Sequence, residues 1–242
     1  MPEPFCIGIA DLTAELHPLF DTTKPFCKDY VVPNTAPDMV AVSTEEGVQY
    51  ELALAPDAPL GMTDTVCLFR QIAEQLPAFD AFVFHGAAIE YDGKAYLFAA
   101  PSGTGKSTHI RLWKQHLGDK VRIVNGDKPV LRLTKNGVNV CSTPWAGKEG
   151  WHRNCIVPLG GICLLRRGEV NRIAQTAPLT QFDALLRQVY HPRNGDAWDK
   201  TLQLLDTALA RVPFYVLDCT ISTQAVEVAL HTLTGGNNHE NS

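Results

Sequence analysis

The sequence has no C-x-x-C pair, no internal repeat, no low-complexity block and no long apolar run. Each absence removes a class of protein. Seven cysteines are present (Cys6, Cys27, Cys67, Cys141, Cys155, Cys163 and Cys219). Without a C-x-x-C pair they form neither a zinc knuckle nor a thioredoxin-type redox motif. Free buried thiols in a reducing compartment are the expectation. The first cation is Lys24, so no secretory leader is expected. The longest apolar run, Ala81–Ile89, is interrupted by His85 and is far too short to span a bilayer. Positive charge is not in excess either. Lys and Arg number 21 against 26 Asp and Glu, a formal charge of −5, which excludes a chain-wide nucleic-acid surface. A cytoplasmic protein with no membrane or nucleic-acid partner is expected, either an enzyme or a binding protein. Its 242 residues suffice for one large domain, or one with a small companion, without disulfide or metal staples.

Residues 1–78 read as a β-rich region with one helix. Short β-like runs at Phe5–Ile9, Met39–Val42 and Val48–Leu54 are separated by Pro25, Pro33 and Pro37. Val66, Phe69, Ile72, Ala73 and Leu76 recur at three- and four-residue steps, which predicts a helix over 63–76 stopped by Pro77. From residue 79 the pattern is denser. Ala81–Tyr91 reads as one strand, Asp92-Gly93 as a tight turn, and Lys94–Ala100 as the return strand. A helix over Lys106–Leu117 follows, then a strand at Val121–Val124. Two more hairpins are predicted, around Asn136-Gly137 and around Arg167-Gly168, the second joining Leu159–Leu165 to Val170–Ile173. Helices at 179–189 and 197–210, a strand at 214–217 and a helix capped by Ser222 complete the series, and 236–242 reads as a frayed tail. The fold class is therefore α/β: a mixed, hairpin-rich sheet with flanking helices over 79–235, plus the small β-rich N-terminal region.

The strongest chemical signal runs from Ala100 to Thr108: Ala-Pro-Ser-Gly-Thr-Gly-Lys-Ser-Thr. It matches the phosphate-loop pattern G-x-x-x-x-G-K-[ST] except that Ala100 takes the first glycine position. Gly103 and Gly105 let successive N–H groups turn inward, and Ser102, Thr104 and Thr108 complete the cradle. The helix that follows presents its positive end to the same phosphates. Lys106 supplies the cation for the β- and γ-phosphates, and Ser107 a hydroxyl for Mg²⁺. A bound nucleotide also needs an acid at the end of a neighbouring strand. Asp127, after Val121–Val124, fits that place and is a candidate metal ligand, although Asn125-Gly126-Asp127 is also an excellent turn.

His85-Gly86, the hairpin at Asp92-Gly93, the loop Ser102–Ser107 and Asp127 together resemble the catalytic domain of HPr kinase/phosphorylase, a relative of the phosphoenolpyruvate carboxykinase nucleotide-binding core. The resemblance covers about 79–235 and is nearest to small stand-alone bacterial proteins of that type. It implies an ATP- and Mg²⁺-dependent kinase acting on a hydroxyl, often a serine of a protein or peptide, and relatives that can be homo-oligomers. It also places His85 at the active site; read without it, His85 is a core histidine on a buried strand. The family carries two adjacent acids after the strand. Here Gly126 precedes Asp127, so the acid credited with activating the acceptor hydroxyl is missing.

Pro144–Asn154 gathers Lys148, Glu149 and Arg153 between Trp145 and Trp151. Lys148 or Arg153 could neutralise phosphate charge and Glu149 could orient metal or acceptor; equally, the stretch reads as a surface loop pinned by its tryptophans. Arg166-Arg167 and Tyr190–Asn194 read as solvated turns. Three functions compete: an ATP-dependent serine kinase, a nucleotide-binding regulatory protein with little turnover, and, last, a carboxykinase-type lyase.

Overall fold

The computed structural model describes residues 2–101 and 103–235; Met1, Ser102 and the expected tail at 236–242 lie outside the described residues. Proline-broken, alternating sequence makes the first sheet. β1 (Phe5–Ile9) and β2 (Leu12–His17) form a hairpin turned by Ala10 and Asp11, both at positive φ (54° and 53°). β2 had no counterpart among the sequence-predicted strands. Yet Leu12, Ala14 and Leu16 alternate with less buried neighbours, as one packed sheet face requires. After the short helix α1 (Thr23–Phe26), β3 (Val31–Val32) pairs with β1, and β4 (Met39–Val42) runs parallel to β2.

α2 (Glu45–Leu54) replaces the strand expected at 48–54. Thr44 decides this: its hydroxyl accepts from the Gly47 N–H at 3.0 Å, and Glu45 and Glu46 occupy the first turn, where negative charge favours a helix. α3 (Leu60–Gln75) is the predicted amphipathic helix. Its buried Asp64 ties down the preceding loop, accepting from the Thr23 hydroxyl at 2.5 Å and from the N–H groups of Leu19 and Phe20 at 3.2 and 3.4 Å. On its outer face, Gln71 bonds both the N–H and the C=O of Val42, and Gln75 does the same to Val40. The outer edge of β4 is thus occupied by two side-chain amides.

Among the described residues the second sheet has nine strands. The expected strand 81–91 is two: β5 (Ala81–Val83) and β6 (Ala87–Tyr91), parted at Phe84–Gly86. β6 forms the predicted hairpin with β7 (Lys94–Ala99) through Asp92 and Gly93, both at positive φ (50° and 72°). α4 (Lys106–Leu117) and β8 (Val121–Asn125) follow, β8 pairing with β6. β9 (Val130–Thr134) and β10 (Gly137–Cys141) form the second hairpin, and β9 also takes β5.

The third hairpin is corrected. β11 (Ile156–Arg167) and β12 (Arg172–Gln175) do not pair with each other; β13 (Phe214–Cys219) lies between them, parallel to β11 and antiparallel to β12. β11 has twelve residues, enough to pair with β10 at its start and with both β7 and β13 further on. A bulge between Leu159 and Gly161 marks the change of partner. The helix expected at 179–189 shrinks to a 3₁₀ turn and α5 (Phe182–Leu186). α6 (Gly195–Arg211), capped by Asn194, and α7 (Thr223–Leu233), capped by Ser222, match the expectation.

The fold is the expected α/β arrangement. α4 and α7 pack on one face of the sheet around Trp113, and α6 on the other around Phe214. The N-terminal sheet and α3 share a third core with Ala81, Val83, Val130, Cys141 and Trp145. The seven cysteines form no disulfide, and no described helix is long and apolar enough to cross a membrane. Asp64→Ala leaves a buried hydroxyl and two part-buried N–H donors unpaired; denaturant unfolding is expected to show a loss of about 2–3 kcal/mol, with Asp64→Asn losing less.

Candidate active site

The break at Phe84–Gly86 is where the site begins. Three successive backbone N–H groups leave the ladder for three partners: Phe84 donates to the Pro129 carbonyl (3.0 Å), His85 to Gln188 (2.6 Å) and Gly86 to Asp127 (2.9 Å). His85 therefore stands at a strand switch, not mid-strand. Gln188 is buried; with its amide nitrogen turned inward, it donates to the carbonyls of His85 and Ala100 at 3.0 and 3.3 Å. That bond joins the switch to the start of the phosphate loop.

Asp127 is aimed by its neighbours. The buried Asn125 side chain accepts from the N–H groups of Asp127 and Lys128 at 2.9 and 2.8 Å and donates to the Thr143 carbonyl at 2.9 Å. The carboxylate then meets His85 Nε2 at 3.0 Å through one oxygen and the Lys128 ammonium through the other. Lys106 Nζ lies 3.1 Å from the same His85 nitrogen. Burial works to raise the Asp127 carboxyl, but the His85 hydrogen bond and the Lys128 charge outweigh it and hold the group well below the usual carboxylate range. Burial lowers Lys106, partly countered by Asp127 and reinforced by Lys128. One ring nitrogen cannot accept from an ammonium and donate to a carboxylate at once. The two contacts compete, and Lys106 is the member with open space to move into.

That space is the phosphate loop. Gly103 and Gly105 sit at φ 77° and 112°, and among the described residues nothing lies within 4 Å of where a Cβ would project from either. Gly105 caps α4, so the helix N–H groups and the loop face one concavity. Arg167, read from sequence as a turn residue, donates from its guanidinium to the carbonyls of Gly103 and Thr104. Holding those carbonyls outward favours N–H groups pointing inward. Beside the loop, away from His85, a cavity of ≈ 400 Å³ opens between Thr108, Leu112, Leu165, Cys219 and Ile221. Behind it, His109 is buried and accepts from Trp113 Nε1 at 2.9 Å.

Ser107 and Thr108 follow Lys106 in the first turn of α4. No cluster of three His, Cys, Asp or Glu side chains suited to a metal is found among the described residues. A hydroxyl, one ionised carboxylate and nucleotide oxygens form a donor set that suits Mg²⁺, which keeps most of its waters.

The loop after β10 sits under Asp127, but its three candidate side chains do not converge there. Lys148 and Glu149 are exposed, without a side-chain hydrogen bond or ion pair among the described residues. Arg153 pairs with Glu90 on β6. What the loop supplies is backbone and anchors. The Trp151 carbonyl accepts from Gly126 N–H at 2.8 Å; Trp145 stacks on Phe69 of α3 at 4.2 Å and donates to the Thr65 carbonyl. Sequence reading missed Gln188, Lys128 and Arg167. Only Lys128, next to Asp127, had a local signal.

A Cβ at Gly126 would stand 3.0 Å from the Ala146 carbonyl oxygen and 3.4 Å from that of Trp151. A side chain at position 126 would therefore press on the backbone of that loop, which would have to shift by a few tenths of an ångström. Gly126→Asp is expected to cost about 1–3 kcal/mol in urea unfolding, and Gly126→Ala somewhat less, with no added carboxylate chemistry. His109 gives a pH signature. Burial drops its pKa from 6.5 to about 4, so the unfolded chain takes up the proton first as pH falls. Stability is complete above about pH 6.5 and declines down to about pH 4. Thermal unfolding across that window is expected to be flatter for His109→Phe.

No family model matches the chain, and no curated protein matches it. Among solved structures, the HPr(Ser) kinase/phosphatase from Coxiella burnetii is similar over 66% of this chain and 99% of that chain, at 12% identity and a TM-score of 0.36. A likeness that slight transfers no residue role to this chain.

Proposed function

We propose that the chain is an ATP-dependent phosphotransferase that passes the γ-phosphoryl group to a hydroxyl, with a serine of a protein or peptide as acceptor. One observation carries the reading: His85, Lys106 and Asp127 meet within hydrogen-bond distance at the mouth of a glycine-built loop that opens a helix. Transfer of this kind needs mostly positioning and charge. The loop N–H groups and the α4 terminus bind phosphate oxygens. Lys106 leaves His85 for the β- and γ-phosphates, which relieves the competition at Nε2. The cavity beside Thr108 and Ile221 is within the size range of small-molecule sites and takes the nucleoside. Ser107 and Asp127 are the residues that would hold Mg²⁺, whose chemistry is to neutralise charge on the transferring group. With Lys106 withdrawn, His85 and Asp127 remain a hydrogen-bonded pair: Asp127 stays ionised and orients the imidazole, and His85 takes the hydroxyl proton through its other ring nitrogen.

A second reading, a nucleotide-binding regulator with little turnover, is favoured by the filled space at Gly126. Labelled ATP, Mg²⁺ and a lysate of the source cells separate the two. Transfer to serine is expected, and Lys106→Ala and Asp127→Asn should each lower it by about 10²-fold or more. Nucleotide binding with neither transfer nor hydrolysis would instead establish the regulator. Asp127→Asn is further expected to weaken Mg²⁺-dependent nucleotide binding far more than Asp92→Asn, measured with a fluorescent ATP analogue.

A further inference from the structure

The groove on the far side of His85 from the nucleoside cavity has a composition of its own. Two hollows meet there, sharing His85, Arg187 and Gln188. The deeper one, ≈ 210 Å³, is walled by Val66 and Phe69 of α3, by Val83 of β5, and by Val189. It is smaller than the roughly 300–1,000 Å³ of small-molecule sites, and its walls are mainly aliphatic and aromatic. The wider one, ≈ 470 Å³, runs past Pro101 toward α5 and is open. Three cations border the pair. Arg70 is committed to Glu51 in a two-point ion pair and stacks near Tyr50 and Tyr190. Lys128 is committed to Asp127. Arg187 is exposed and has no ion pair within reach among the described residues, although Asp183 lies one helical turn before it.

From this we infer that the groove is the acceptor subsite, and that it selects a peptide carrying an aliphatic side chain and an acidic residue close to the hydroxyl it presents to His85. The aliphatic group fills the hollow between α3 and β5; the carboxylate pairs with Arg187. Charge complementarity fixes the sign. Two charges of the groove are without an ion pair among the described residues: Arg187, which lines both hollows where they meet, and Asp183, which lines only the wider one; the neighbouring carboxylates Glu51 and Asp127 are already neutralised. The N-terminal unit thereby becomes a wall of the acceptor site, since α3 contributes Val66, Phe69 and Arg70. The inference rests on the phosphotransferase reading for its chemistry, but not for its binding geometry.

The test uses the full-length protein, ATP–Mg²⁺ and a degenerate peptide library with a fixed central serine. Transfer is expected to enrich peptides with an aliphatic residue and an Asp or Glu near the serine. Arg187→Glu should lose that acidic preference by about tenfold and gain one for Lys or Arg, a reversal that a merely structural role would not produce. Val66→Trp, which fills the hollow from a half-buried position, should raise the peptide KM about tenfold while nucleotide affinity, read by a fluorescent ATP analogue, stays within about twofold. Selection without regard to charge, a preference for basic peptides, or an unchanged KM in both variants overturns the inference. If nucleotide binds but no peptide is phosphorylated, the phosphotransferase reading fails. The groove is then judged by fluorescence polarisation of the same peptides on nucleotide-loaded protein, where loss of acidic-peptide binding in Arg187→Glu supports it and equal binding refutes it.

Discussion

The carboxamide of Asn125 is the interaction on which the site depends. It lies fully buried at the end of β8, and each end of it is used: the oxygen takes the N–H groups of Asp127 and Lys128, and the nitrogen gives to Thr143. Those two part-buried N–H groups would otherwise lack acceptors, at a cost of up to about 1 kcal/mol each. Because they are satisfied, the chain can turn sharply after the strand and present a carboxylate and an ammonium side by side. The same side chain fixes the start of the loop that holds Trp145, and Trp145 in turn is seated on α3. One amide thus links the acidic corner, the loop beneath it and the N-terminal unit. Tyr30 closes the circuit from the other side, meeting Ser142 at 2.8 Å and His152 at 3.4 Å.

Around this corner the charges are arranged in opposition. Asp127 is surrounded by His85, Lys106 and Lys128, so the pocket is locally cationic although the chain as a whole carries −5. Long-range field would have little part in such a site; under the proposed function, short contacts and helix-end N–H groups would supply the attraction for phosphate. Arg167 acts at one remove, on the backbone that carries those N–H groups. The two sides of the loop are chemically unlike. One is bordered by Leu112, Leu165 and Ile221, and the other by His85 and Arg187.

The sequence spelled out what local chemistry controls. Asp92-Gly93, the loop through Lys106, the stop at Gly118 and the Ser222 cap each encode a backbone conformation in the residues themselves, and the structure has them at those places. What local pattern cannot show is a change of partner. Ala81–Tyr91 is apolar throughout and reads as one strand; only the distant carbonyls of Asp127, Pro129 and Gln188 reveal that it divides at His85. The pairing of β11 with β13 across 46 intervening residues (168–213) was hidden for the same reason, since a hairpin signal at Arg167-Gly168 looks alike whether or not the arms meet. The Val48–Leu54 error is of another kind: the apolar residues were read and the Thr44 cap before them was not. Gln188 and Arg167 act through backbone carbonyls far along the chain, and nothing in their sequence neighbourhood announces it.

The two glutamines on α3 have a further meaning. Residues four apart on a helix are separated by about 6 Å, and residues two apart on a strand by about 6.6 Å. Gln71 and Gln75 can therefore stand in register with Val42 and Val40, each amide copying the donor and acceptor of a neighbouring strand residue. β4 behaves as an interior strand although among the described residues no strand lies beyond it. A guest polypeptide that seeks to extend this sheet finds the position already taken, and so does a second copy of the chain. The opposite border, β3, is two residues long and offers little template. Main-chain pairing is blunted at both borders of this sheet, so any contact made there falls to side chains.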